Sequence, residues 1–223
     1  FYVDQITNAV SPSNFALTNP EVLRTTLARN GANLIEGLKN LEADLKAGQG
    51  RLRIKQTDLS AFELGKNVAT TPGKVVFQND TFQLIQYSPT TERVSEIPLL
   101  IVPPWINKYY ILDLNPKKSF VRWATEQGLT VFVVSWVNPD EKHGHKTFAD
   151  YMRDGFLTAL DKTLEATAAP KANVIGYCVG GSLVAASLGY LAAKRDDRVN
   201  SVTFFTTQVD FEKAGDLKVF VDT

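Results

Sequence analysis

Four short apolar runs, at residues 99–102, 130–134, 174–177 and 202–205, constrain this chain more than any other feature. Runs of that length without polar alternation belong to strands buried on both faces. Between them lie stretches with helical periodicity at 117–127, 147–168 and 179–194. The first of these stops at Gly128. The second has Thr147 as its N-cap and Asp150 in its first turn, where an acidic group meets the positive end of the helix dipole. Strands that alternate with helices assemble into a mostly parallel sheet covered on both faces, so the predicted fold class is α/β. Ahead of this alternation, residues 75–77 and 82–87 flank Gln78-Asn79-Asp80, which predicts a hairpin.

The first 50 residues have a different texture and read as helical. Asn19-Pro20 is an N-cap and first-turn pair. Leu23, Leu27, Leu34, Leu38, Leu41 and Leu45 recur at helical spacing, Asn30-Gly31 marks a bend, and Gly48 a stop. An apolar row of this kind is expected to pack on its own domain, as on any amphipathic surface helix, with display to another subunit or to a hydrophobic surface as the alternative. The division expected from the sequence is a helical region at 1–65 and a catalytic region at 66–223.

The chemistry is carried by Gly176-Tyr177-Cys178-Val179-Gly180-Gly181, which joins the strand at 174–177 to an Ala/Leu-rich helix. This is the G-x-S-x-G nucleophile elbow of α/β-hydrolases with cysteine in place of serine, in the strand–turn–helix setting the motif requires. A nucleophile on so sharp a turn leaves no room for side chains beside it, which is the expected reason for Gly176, Gly180 and Gly181. The helix N-terminus behind Cys178 favours a thiolate. The N–H of Val179, the residue after the nucleophile, is one expected oxyanion-hole donor. The second comes in such folds from the loop after an earlier strand. Here that loop is Pro103-Pro104-Trp105-Ile106-Asn107-Lys108, and the backbone N–H of Ile106 is the candidate, with that of Trp105 one residue away as the alternative.

Composition narrows the function classes. Lys+Arg and Asp+Glu are both 24, a balance that argues against nucleic-acid binding. No apolar run approaches the roughly 20 residues of a transmembrane helix, and no signal-peptide pattern is present. A lone cysteine forms no internal disulfide and no zinc cluster, so the reducing cytoplasm is the expected compartment. The chain begins at Phe1 and stops at Thr223 directly after an apolar run, and both ends are expected to be cut.

Several motifs in a fixed order resemble one family. Gly-Tyr-Cys-Val-Gly-Gly at 176–181, Pro-Pro-Trp-Ile-Asn-Lys at 103–108, Ser-Trp-x-Asn-Pro-Asp at 135–140, and the run from Phe62 through Pro72-Gly73-Lys74-Val75-Val76 are similar to polyhydroxyalkanoate synthases of class I. The resemblance implies the first half of an α/β-hydrolase-like catalytic domain, with its cap and C-terminal part absent. It further implies an acyltransferase that takes short-chain (R)-3-hydroxyacyl-CoA and passes the acyl group through a thioester on Cys178. No cofactor is implied beyond the coenzyme A thioester that serves as substrate, and no metal. The implied partners are the growing polyester chain, the granule surface in the cytoplasm, and a second copy of the chain in a homodimer.

The pattern is incomplete in one respect. The hydrolase triad runs nucleophile, acid, histidine, yet none of the 45 residues after Cys178 is a histidine. His143 and His145 precede the elbow and are expected to be solvated loop residues. A His-x-His metal site with Asp140 or Glu141 lacks a full ligand set. Asp210, Asp216 and Asp222 do not match the family's acid, which follows a cap that would begin near Thr223. Trp123 and Trp136 are expected to pack in the core or at its rim, Asn138-Pro139-Asp140 to form a turn, and residues 194–198 to form a solvated helix end. The alternatives to the synthase reading are a cysteine α/β-hydrolase acting on esters or thioesters, and a catalytically incomplete granule-associated protein.

Overall fold

The computed structural model describes residues 1–216 and divides into two compact units, residues 1–61 and residues 62–214, with Gly215 grouped with the first. In the first unit the sequence signals act where expected. Helix α1 spans Tyr2–Ala9, α2 Pro20–Ala28 and α3 Ala32–Ala47. Asn19 caps α2, its side chain accepting from the N–H groups of Glu21 (2.8 Å) and Val22 (3.3 Å). Asn30 (φ 48°) and Gly31 (φ 82°) turn the chain between α2 and α3, and Gly48 ends α3. The hairpin is clipped by Arg29, which grips both oxygens of Glu36 at 2.6 and 3.0 Å.

The leucine row does not pack as expected. No residue of α1, α2 or α3 is buried, and Leu27 is 80% and Leu38 67% exposed. A two-helix hairpin gives each apolar face only one neighbour, too little to take the row out of water.

In the second unit a six-stranded sheet has the spatial order β1-β2-β6-β3-β7-β8. Its strands are β1 (Gly73–Gln78), β2 (Phe82–Tyr87), β3 (Leu99–Val102), β6 (Val131–Trp136), β7 (Ala172–Tyr177) and β8 (Val199–Phe205). A separate two-residue-wide hairpin pairs β4 (Asp113–Asn115) with β5 (Lys118–Ser119). β1, β2 and β6 pair antiparallel, and β6, β3, β7 and β8 run parallel. This order and these directions form part of an α/β-hydrolase core. The β1–β2 turn is tied by Asn79, whose side chain accepts from the N–H groups of Thr81 and Phe82, both at 2.9 Å.

The apolar strands are buried on both faces because their period of two feeds two cores. Leu100, Val102, Phe132 and Val134 face one core with Phe156, Leu160 and Leu183. Leu99, Ile101, Val131 and Val133 face the other with Val121 and Ala124. The first is covered by α7 (Val179–Lys194) and by the helical run 148–167, the second by α4 (Phe120–Glu126).

Two helices depart from expectation. The helix expected at 117–127 begins only at Phe120, because the Asn115 side chain captures the N–H groups of Lys117 and Lys118 at 3.0 Å and turns β4 into β5. Ser119 then caps α4 through the Arg122 N–H at 2.9 Å. The helix expected at 147–168 is capped by Thr147 and Asp150 as read, but it is not uniform. Short α5 (Phe148–Asp150) opens into a π-helical stretch, Tyr151–Leu157, before α6 (Thr158–Thr167). The wider turn accommodates Trp136: an ideal Cβ on Gly155 would stand 2.7 Å from the indole Cζ3. No helix among the described residues is long and apolar enough to cross a membrane.

Candidate active site

Parallel pairing puts the C-terminal ends of β6, β3 and β7 on one edge of the sheet. Trp136, the Pro103–Lys108 loop and Cys178 leave from those three ends. Cys178 has φ 53° and ψ −124°, a conformation non-glycine residues rarely adopt and one that costs of the order of 1–3 kcal/mol. The surroundings hold it there. Its N–H donates to the Phe205 carbonyl at 2.9 Å, and its own carbonyl accepts from Gly181 (2.9 Å) and Ser182 (3.1 Å). The thiol-bearing residue is half-buried. Among the described residues, no backbone carbonyl takes the N–H of Val179 at the start of α7.

Each elbow glycine answers to a different neighbour. An ideal Cβ on Gly176 would meet the Gly181 Cα at 2.6 Å, locking strand against helix. One on Gly180 would meet the Pro103 carbonyl oxygen at 2.6 Å and strike that of Val102, so α7 starts directly against the backbone leaving β3. One on Gly181 would collide with Thr207, whose Cγ2 lies 2.7 Å away. Thr207 was not legible as part of the elbow. Its hydroxyl donates to the Gly176 carbonyl at 3.2 Å, and Ser182 Oγ donates to the Gln208 carbonyl at 2.7 Å. The stretch after β8 thus buttresses the turn.

The Pro103–Lys108 loop is anchored at its start and open at its tip. Trp136 Nε1 donates to the Pro103 carbonyl at 2.7 Å. The Trp105 ring stacks on Tyr151 at 4.9 Å and meets Trp136 edge-on at 6.0 Å. The Ile106 side chain is 74% exposed. Beyond it, Lys108 Nζ donates to Asn138 Oδ1 at 2.8 Å, beside a cavity of about 350 Å³ lined by Lys108, Tyr109, Tyr110, Ser135 and Trp136 among others. Burial, then the nearby Asp113 carboxylate, push the Tyr109 phenol up.

The histidines stand apart from the elbow. His143 is not the solvated residue expected, its side chain being only 16% exposed. One ring nitrogen meets Asp140 Oδ1 at 2.7 Å and the other the Asp80 carbonyl at 3.2 Å, which ties the loop before α5 to the β1–β2 turn and occupies both nitrogens. That His143 contact, first among several, holds the Asp140 carboxyl below its usual range. His145 is exposed. Among the described residues no group of three or more His, Cys, Asp or Glu is disposed to hold a metal ion. Asp140, itself extended, caps the 3-10 turn Glu141–His143, so Asn138-Pro139-Asp140 leads into a cap where a turn was expected.

Trp123 is 51% exposed against Phe120, at the rim of the fold. Residues 194–198 end α7 in an ion-pair cluster joining Arg198 to Asp196 and Asp161, and Lys171 to Asp197. Asp210 accepts from the Glu212 N–H at 2.9 Å, Asp216 is exposed, and Asp222 and Thr223 lie outside the described residues.

A family model described as poly-beta-hydroxybutyrate polymerase (PhaC) N-terminus matches residues 1–124. Over 222 residues the chain is 60% identical to a poly(3-hydroxyalkanoate) polymerase of Methylorubrum extorquens, covering 100% of this chain and 37% of that one. Identity is 58% to the poly(3-hydroxyalkanoate) polymerase subunit PhaC of Rhizobium meliloti, with 100% and 36% covered. It is 48% to that of Cupriavidus necator, with 100% and 37% covered. The chain therefore spans just over a third of the length of these curated relatives. Among solved structures, a sugar hydrolase from Lactococcus lactis aligns at TM-score 0.43 and 14% identity, covering 63% of this chain and 55% of that one. A brefeldin A esterase aligns at TM-score 0.41 and 21% identity, covering 74% and 46%. Likenesses this loose carry no argument about the site.

Proposed function

This chain belongs to the poly-beta-hydroxybutyrate polymerase (PhaC) family, and on that premise we propose that it carries the acyl-accepting centre of an acyltransferase that polymerises short-chain (R)-3-hydroxyacyl-CoA. The observation that carries the proposal is the strained Cys178 at the start of α7, with φ 53°, on a turn whose tight strand, helix and loop contacts leave no space for a Cβ at Gly176, Gly180 or Gly181.

In the proposed acylation the Cys178 thiolate attacks the thioester carbonyl carbon, and the Val179 and Ile106 N–H groups hold the resulting oxyanion. The carbon–sulfur bond to coenzyme A then breaks, coenzyme A leaves as its thiolate, and the acyl group remains on Sγ. One thioester replaces another, so the acyl group keeps its reactivity. The 3-hydroxyl of another unit attacks next, its proton passing to a general base and Sγ leaving as thiolate. With His143 committed to Asp140 and Asp80, we assign that base and its carboxylate to the portion of the relatives' length that this chain does not span. The elbow would serve a hydrolase equally well; family membership favours the polymerase. The exposed leucines of α2 and α3 support a role for the first unit at a granule surface in the cytoplasm or against a second copy of the chain.

The test uses the full-length protein. After brief exposure to 3-hydroxybutyryl-CoA, the peptide containing Cys178 is expected to carry a hydroxybutyryl adduct by mass spectrometry. Cys178→Ala is expected to remove the adduct and lower coenzyme A release by about 10³-fold or more. Undiminished release from that variant overturns the proposal.

A further inference from the structure

We infer that Trp136 is a positioning residue for the oxyanion loop, aiming the Ile106 N–H through its hold on Pro103 and Trp105. The inference rests on the proposed roles of Cys178 and Ile106 and deepens them.

Near its start the loop is anchored at the Pro103 carbonyl, which receives Trp136 Nε1–H at 2.7 Å. Two consecutive prolines fix φ at 103 and 104, so the orientation set at Pro103 is transmitted along a stiff segment to Trp105. The Trp105 ring packs against both Tyr151, stacked at 4.9 Å, and Trp136, edge-on at 6.0 Å, which touch each other at 5.6 Å. The N–H of Ile106 belongs to the peptide that joins it to Trp105. Ile106 itself adds no anchor, being 74% exposed. Its direction is thus set by the groups that hold the preceding residues, and Trp136 touches both of them.

Packing alone does not call for an indole here. Phenylalanine would fill much of the same space, whereas tryptophan is used where the N–H of a buried ring meets an acceptor. The indole is in turn seated by the π-helical stretch, where Gly155 leaves room for its six-membered ring. The same Pro103 carbonyl abuts Gly180 at the start of α7. Trp136 therefore acts at the junction of the loop and the elbow, which carry the two proposed donors.

The experiment compares two reactions of one sulfur in the full-length protein. Acylation by 3-hydroxybutyryl-CoA passes through an oxyanion, while alkylation of Cys178 by iodoacetamide does not. In Trp136→Phe, and in a second variant carrying 3-benzothienylalanine at 136 (the same bicyclic outline without the N–H), acylation in the pre-steady state is expected to slow by about 10- to 100-fold. Alkylation is expected to stay within about twofold and KM to change little, as befits an interaction made in the transition state. Acylation within about twofold of the unmodified protein in the benzothienyl variant overturns the inference. So does a parallel loss of acylation and alkylation, which marks a merely structural role. If the unmodified protein is alkylated but never acylated at Cys178, the nucleophile reading itself falls and this inference with it.

Discussion

Gly180 is set against Pro103 so closely that an ideal Cβ on the glycine would lie 2.6 Å from the proline's carbonyl oxygen. The contact joins the first turn of α7 to the loop after β3 with nothing between. Alanine at 180 gains roughly 0.5–1 kcal/mol of helix propensity. The clash is with backbone on both sides, which cannot swing away, and overpacking of this kind costs about 1–3 kcal/mol. The clash wins. Gly180→Ala is expected to lower the urea midpoint of the full-length protein and to abolish rapid acylation of Cys178. An unchanged midpoint would show that α7 and the loop can separate freely.

Thr71 and Asp113 join the segment before β1 to the small β4–β5 hairpin. Asp113 is 1% exposed and accepts from Thr71 Oγ1 at 2.6 Å and from the Thr71 N–H at 3.2 Å. Thr71→Val keeps the shape and removes the hydroxyl donor, leaving a buried carboxylate under-satisfied at a cost of about 1–3 kcal/mol. Chemical denaturation is expected to show that loss, with faster proteolysis between residues 62 and 72. Equal stability and equal cleavage would count against the link.

Acid should weaken the start of the 148–167 helical run. The backbone N–H of Thr147 (2.7 Å), then its hydroxyl (2.7 Å), then Arg153 (2.5 Å) all favour the ionised Asp150 carboxyl and hold it well below the usual range. A depressed folded value gives stability that is present above the unfolded value, near 3.9, and that fades as pH falls through the folded one. Asp150→Asn is therefore expected to melt lower than the unmodified protein at pH 7, with the gap closing below about pH 4. A gap that persists in acid would locate the effect elsewhere.

Local signals were legible, and signals that depend on distant partners were not. α7 runs from Val179 to Lys194 as its sequence indicates, because Gly180, Gly181 and the Ala/Leu-rich run after them all lie within the segment. Asn19, Gly31 and Thr147 likewise act on neighbours one to three residues away. Asn115 escaped because a side chain that captures two N–H groups outcompetes the helical period at 117–119. Trp136 read only as a packing residue because its acceptor lies 33 positions earlier. Thr207 bore no sequence mark, since its partner Gly176 is 31 positions away and is reached only when β7 and β8 pair.

The placement of Trp136, Pro103 and Cys178 on the ends of three neighbouring parallel strands also governs when the site comes into being. Parallel pairing across long connections is slow, because the loops must close before any contact rewards them. Until β8 has paired with β7, Cys178 has no Phe205 carbonyl to hold it at positive φ, and it relaxes to an ordinary backbone. A nascent chain emerging from the ribosome therefore carries the proposed nucleophile on a relaxed backbone, and the strained turn forms only once these distant strands have paired.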